Sequence, residues 1–329
     1  MLCLLLLAFA GGVASTEAPA YAGPIPVAVV TVSASAVPPG PGDDRSERSF
    51  ERLNAIRRAA GTRPVGHSAT LASSASQHAG YLSGQGRRSA ASIHAETSGL
   101  DGFTGADPFV RMRALGYRPA YATEVIGDVG AAPTDVDCVD ALMHTIYHAA
   151  LLLSRVTEAG VAYGADRAAG LCVIDLGAPL TSPTAPQRAT GEIVRYPWPG
   201  MTVESGAFRL ASENPRPSPA ELPGAVTGIP VLVGLRQAGA VPTSPGHPGI
   251  ALQDFELLDD KGWPVAAVVL ADAEITGPGV VADEALRGDF AVLVPRHPLP
   301  PGRYRVIVHA TIGTDVVAPA PWIFVVATP

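Results

Sequence analysis

Apolar residues recur at helical spacing in two early stretches. Over Ser46 to Ala60, Phe50, Leu53 and Ile56 share one face with charges opposite, and over Leu71 to Leu82 the inward set is Leu71, Ala75, His78, Ala79 and Leu82. Both stretches are expected as amphipathic helices. Asp107 followed by Pro108 has the form of an N-cap with proline at the first helical position, and Phe109, Met112 and Leu115 then point one way until Gly116 ends the helix. A fourth helix is expected from about Thr134 to Leu153, with Val139, Leu142, Met143, Ile146 and Leu153 inward. Two short apolar strands, Gly160 to Gly164 and Leu171 to Leu176, flank a polar turn at 166–170. Helices around a small antiparallel sheet give residues 46–180 an α+β class.

The pattern then changes period. Residues 181–190 hold a Ser/Thr/Pro connector, and no long helix follows. Strands are expected at Ile193–Tyr196, Phe208–Ala211, Pro230–Arg236, Gln253–Leu258, Val265–Leu270, Phe290–Val294, Tyr304–His309 and Trp322–Val326. Short strands separated by turns such as Asp259 to Gly262 and Pro300 to Arg303 predict an all-β, immunoglobulin-like sandwich over 191–329, suited to spacing or adhesion. Glu213 to Pro217 reads as an extended loop.

A length of 329 residues favours two modest domains, and 35 Gly with 32 Pro argue against long helical arrays. A net charge of -7, without a basic block, speaks against a nucleic-acid partner. The apolar start, Leu2 to Ala10, is followed by small residues and is too short for a comfortable span of about 20 residues. Residues 1–22 are therefore expected to be a signal peptide, with an uncleaved anchor as the alternative, although no Lys or Arg precedes the apolar run. The expectation is a secreted or cell-surface protein with no integral membrane span in the mature chain. Residues 23–45 read as an extended linker. After signal removal Cys138 and Cys172 remain, an even pair that suits either one disulfide or two buried thiols.

The chemistry concentrates in His94, Glu124, His144 and His148. Any lone histidine on a half-buried face is most often simply hydrogen-bonded there. The order of the surrounding motifs is more informative. Asn54 and Arg57 sit in an N-x-x-R helix start; His94 precedes a short helix ending in Gly116 and Tyr117; Thr123, Glu124, Val125 and Ile126 follow. Then come Met143, His144 and His148, and a closing Glu158-x-Gly160-Val161-x-x-Gly164 stretch. In this order the segment resembles the CAP (SCP/PR-1-like) superfamily in its bacterial form. The resemblance implies an α-β-α sandwich whose cleft holds two histidines and one or two carboxylates, by position His94, Glu124 and His148, with Glu158 as a further candidate. It also implies metal binding in some members, here zinc or another divalent ion on His94 and His148, and sterol or lipid binding in others, with no general catalytic activity. The chain departs from the pattern at Val125, Leu142, Thr145 and Ala149.

The leading expectation is a binding module for a small lipid-like or cell-envelope ligand. The alternatives are an extracytoplasmic metal-dependent hydrolase and a structural exoprotein with a vestigial cleft. His144 and His148, four apart, share a helix face as in zinc peptidases, but Thr145 replaces the glutamate that serves as base there. No Gly-x-Ser-x-Gly elbow occurs, and Ser68 in Gly66-His67-Ser68 reads as a helix cap. Trp198, Trp263 and Trp322 suit either glycan platforms or, more often, core packing.

Overall fold

The computed structural model describes residues 44–85, 93–128, 138–164, 171–180, 193–210, 213, 216–217, 222, 224–235, 249–286 and 290–328. The expected signal peptide, all but the end of the first linker, the 166–170 turn and the 181–190 connector lie outside these residues.

The first part contains α1 (Asp44–Ala59), β1 (Gly66–His67), α2 (Ala69–Gln85), α3 (Pro108–Ala114), β2 (Pro119–Asp128), α4 (Cys138–Met143), α5 (Tyr147–Leu152), β3 (Glu158–Tyr163) and β4 (Leu171–Pro179). Its sheet runs β1-β3-β4-β2; β4 pairs antiparallel with β2 and β3, and the two-residue β1 lies parallel to β3. Neither β1 nor β2 carried a strand signal in the sequence. The capping expectations stand: Asp107 accepts a hydrogen bond from the Val110 amide at 2.9 Å, and Gly116 takes a left-handed φ of 86° just past α3. Ser68 accepts the Leu71 amide at the start of α2.

Strand alternation assigns each face of this sheet. Cys172, Ile174 and Leu176 of β4 join Leu53 and Ile56 of α1, Val139 and Leu142 of α4 and Leu152 of α5 in one core, while Val173 and Ile126 face Ala75 and Ala79 of α2. The sheet therefore has helices on both sides. Asn54 and Arg57 fix α1 to it. Asn54 exchanges two hydrogen bonds with the Val65 backbone, and the fully buried Arg57 donates to the carbonyls of Arg63, Leu152, Ser154 and Val156. Gly160 lets α2 lie directly on β3, because a Cβ there would overlap the Ala72 backbone nitrogen.

The expected fourth helix is broken in two. Its chain turns at His144 to Ile146, where the Thr145 hydroxyl donates to the Leu142 carbonyl at 2.7 Å, a local bond that competes with helix continuation. The sulfurs of Cys138 and Cys172 are bonded, with Cα atoms 6.5 Å apart, and join the start of α4 to β4.

The remainder comprises β5 (Val194–Tyr196), β6 (Thr202–Val203), β7 (Ala207–Arg209), β8 (Val226–Gly228), β9 (Val231–Gly234), β10 (Ile250–Leu258), β11 (Ala267–Ala271), β12 (Ile275–Thr276), β13 (Val280–Ala282), β14 (Phe290–Pro295), β15 (Gly302–Ile312), β16 (Asp315–Val317) and β17 (Trp322–Val326). A five-stranded sheet, β13-β11-β14-β9-β5, shares a core with the sheet β12-β10-β15-β17-β6. Each of the eight expected strands has a counterpart; those not anticipated are two or three residues long. Trp322 is buried, whereas Trp263 is 68% exposed.

Strand β14 is buried at every position. Ala291 and Leu293 point into the core between the two β-sheets, while Phe290, Val292 and Val294 point to the core that contains α1, α4 and α5. The five-stranded sheet is thus covered on both faces, which explains why β9 and β14 read as unbroken apolar runs. Residues 42–329 form one unit. No helix of the described residues is long and apolar enough to cross a membrane.

Candidate functional site

The α2-facing side of the first sheet carries a buried polar network. Alternation along β4 turns Asp175 to this face, and antiparallel register sets it opposite Glu124 of β2. His78, on the inward face of α2, and Arg111, on α3, complete the group with Glu96. All five residues are at most 5% exposed.

Glu124 is saturated. His94 Nδ1 lies 2.8 Å from its Oε1, and Arg111 Nη2 donates to its Oε2 at 2.7 Å. Burial alone would raise this carboxyl, but the His94 hydrogen bond and the charges of Arg111, His78 and His94 outweigh it and hold the group below its ordinary value. Asp175 shifts the other way. Burial and the Glu124 charge raise it well above the usual carboxylate range, against the opposing pull of Ser74 and Arg111. Within this acidic pair the environment favours the charged form of Glu124 and disfavours that of Asp175. Asp175 and Ser74 make no hydrogen bond of good geometry, so their influence on one another is electrostatic proximity.

Glu96 organises the loop beside the site. It accepts from the amide and hydroxyl of Thr104 and from the Gly105 amide, and lies 2.9 Å from His78 Nδ1. Arg111 also donates to the His94 carbonyl at 3.1 Å, which ties the histidine's backbone to the charge that neutralises its carboxylate partner.

His94 and His148 lie within electrostatic reach of each other at the β2 edge of the sheet. Because ionised Glu124 can only accept, His94 Nδ1 is the donor in that bond. The same logic fixes His148. The Thr145 hydroxyl gives its proton to Leu142, so its oxygen accepts from His148 Nδ1 at 3.0 Å, leaving the lone pair on Nε2. Burial, and secondarily the His94 charge, lower His148 to about 4 and keep it neutral near pH 7. Each ring is thus oriented by a hydrogen bond at its Nδ1.

The remaining sequence candidates lie apart from this pair. Glu158, at the first position of β3, lies beside Tyr117 and contributes, after burial, to raising that phenol. His144 does not share a helix face with His148, because the chain breaks between them; it is exposed, and its Nδ1 donates to the Asp140 carbonyl at 2.6 Å. Among the described residues no cluster of three or more His, Cys, Asp or Glu could hold a metal.

The family model described as "CAP: Cysteine-rich secretory protein family" matches residues 50–175. This segment is a CAP domain. Its boundaries enclose every residue of the polar network, from the middle of α1 through most of β4. No curated protein matches the chain. Over 42% of its length the chain is similar to the whole of PcoC, a methionine-rich copper resistance protein from Escherichia coli, at 19% identity and a TM-score of 0.24. Over 40% it is similar to 95% of the selenomethionine form of PcoC, at 18% identity and 0.21. At these TM-scores the likeness carries no argument.

Sequence reasoning named Glu124, His94 and His148 but not their partners. Asp175 was visible as a lone acid inside the apolar run Leu171 to Leu176, and His78 as a polar residue on an apolar helix face; both are signals of a buried polar network. Thr145 falls near the position of the family's second carboxylate, and here orients His148 instead.

Proposed function

We propose that the CAP domain is a binding module for a small amphipathic, cell-envelope type of ligand, whose polar end meets Nε2 of His94 and His148, directly or through a divalent ion such as zinc. The observation that carries this reading is where the exposed apolar residues fall. Of the eight large apolar side chains exposed among the described residues, four, Ile93, Phe103, Phe109 and Val110, lie within the segment that carries His94. Single exposed apolar residues are ordinary, whereas a concentration beside a polar cleft marks a binding surface.

Binding is favoured over hydrolysis by the state of the carboxylates. A hydrolase needs a base beside an open coordination position. Glu124 is engaged by His94 and Arg111, Glu96 by the Thr104 loop and His78, and the buried setting of Asp175 disfavours its ionised form. The bonded Cys138 and Cys172 suit an oxidising compartment and so support the reading of a secreted or surface-held protein. The C-terminal β region is read as an immunoglobulin-like sandwich that braces the CAP domain, a reading supported by its two sheets around one core.

Zinc titrated calorimetrically into the metal-stripped protein is expected to bind one equivalent, with loss of binding in a His94→Ala/His148→Ala double variant. Equal uptake by both proteins would remove the cation from the reading.

A further inference from the structure

A second concavity lies where the CAP domain meets the β region. It has a volume of about 220 Å³ and is lined from one side by Met143, His144 and Thr145 and from the other by Tyr196, Phe208, Arg209 and neighbouring apolar residues. That volume corresponds to roughly seven water molecules at about 30 Å³ each. The lining is divided by chemistry. Met143, Tyr196, Phe208, Ile229 and Leu232 supply its apolar part, and among the described residues no Asp or Glu belongs to it.

Arg209 is the fixed charge. It lies exposed in β7 between buried Phe208 and Leu210, and has no ion pair among the described residues. His144, also in the lining, donates from Nδ1 to the Asp140 backbone carbonyl. The acids around the cavity are committed elsewhere. Asp140 forms a two-pronged pair with Arg52, with the closer contact at 2.7 Å, and Glu213 accepts the Ile146 amide at 2.6 Å.

We infer that this junction cavity is a binding site for a small carboxylate with a compact apolar tail, distinct from the His94 and His148 cleft. A guanidinium with no carboxylate partner among the described residues offers a forked donor that matches a carboxylate, and the apolar lining accepts the tail. Size excludes a long acyl chain and admits a short aliphatic or single-ring acid. The site is made by both parts of the chain, so occupancy joins Arg209 of the β region to the Thr145 turn that orients His148.

Phenylacetate is a suitable probe, titrated into the full protein and followed by amide shifts in NMR spectra. Saturable binding on the order of millimolar is expected for so small a ligand, with the largest shifts at Thr145, Phe208 and Arg209. An Arg209→Met variant is expected to bind about ten-fold more weakly or worse, and Arg209→Lys to recover part of the loss, because a lysine keeps the charge without the fork. Phenylethanol, which lacks the charge, should bind wild type as weakly as phenylacetate binds Arg209→Met. A His94→Ala variant, which touches none of the lining residues, should retain phenylacetate affinity, and this separates the site from the cleft. Absence of saturable binding to wild type, equal affinity in Arg209→Met, or loss of binding in the His94→Ala protein would each overturn the assignment.

Discussion

Glu124→Gln is expected to cost the protein about 3 kcal/mol or more in a urea unfolding experiment at pH 7, whereas Asp175→Asn is expected to cost under about 1 kcal/mol. The two carboxyls face each other across β2 and β4, yet their roles differ. Glu124 must accept from both Arg111 and His94. A glutamine has one acceptor oxygen, so its amide nitrogen would confront one of these donors, and the Arg111 cation, 0% exposed, would lose its counter-charge. Burial and the Glu124 charge disfavour the ionised form of Asp175. Asparagine is nearly isosteric with the neutral acid, and the substitution breaks no hydrogen bond of the Asp175 carboxyl among the described residues. Equal losses in the two variants would contradict the opposite shifts of the two carboxyls.

A second large effect lies in the pH dependence of stability, where two neighbours on the chain's α5 turn act in opposite senses. Glu213 reaches from the β region to the Ile146 amide, and burial, reinforced by Asp283, pushes it from 4.5 up to about 7 despite the backbone hydrogen bonds at Ile146 and Tyr147. Its folded state binds more protons than its unfolded state, so its contribution is full below pH 4.5 and is lost as pH rises toward 7. His148 runs the other way. Its value falls from 6.5 to about 4, so its contribution is full above 6.5 and is lost as pH falls toward 4. At about 1.4 kcal/mol per unit, each amounts to about 3 kcal/mol, and between them they flatten the wild-type profile. In EDTA, Glu213→Gln is expected to leave stability rising by about 3 kcal/mol from pH 4 to 6.5, and His148→Gln to leave it falling across pH 4.5 to 7. Parallel profiles for wild type and both variants would refute the opposed titrations. A companion contact, Tyr147 Oη donating to Asp283 at 2.8 Å, makes this turn a joint between the CAP domain and the β region.

Periodicity made most of the fold legible. The 3.6-residue pattern marked α1 and α2, Asp107 with Pro108 marked α3, and runs of Val, Leu and Phe marked eight strands of the β region. What it missed has definite causes. Strand β2 contains Pro119, Glu124 and Gly127 and lacks the clean alternation of a half-exposed strand, because one face meets the polar network and the other the disulfide. The break between α4 and α5 depends on Thr145 bonding its own turn, which an apolar spacing cannot reveal. His94, Glu124 and His148 were singled out through the order of family motifs. Their electrostatic setting was not, since it arises when Arg111 from α3, His78 from α2 and Asp175 from β4 converge on Glu124, residues separated by up to 97 positions between His78 and Asp175. The contact of the five-stranded sheet with α1, α4 and α5 was likewise hidden, although the unbroken apolar runs of β9 and β14 carried its signature.

The central claim is that the two cleft imidazoles and the apolar rim at Ile93, Phe103, Phe109 and Val110 form one binding surface. It is tested most directly by calorimetric titration of a twelve-carbon lysophosphatidic acid, kept below its micellar concentration, into wild type, a Phe109→Asp/Val110→Asp variant and a His94→Ala/His148→Ala variant. The account predicts saturable binding to wild type and a loss of about ten-fold or more in each variant, since each removes one half of the surface. No binding to wild type, or wild-type affinity in both variants, would contradict it.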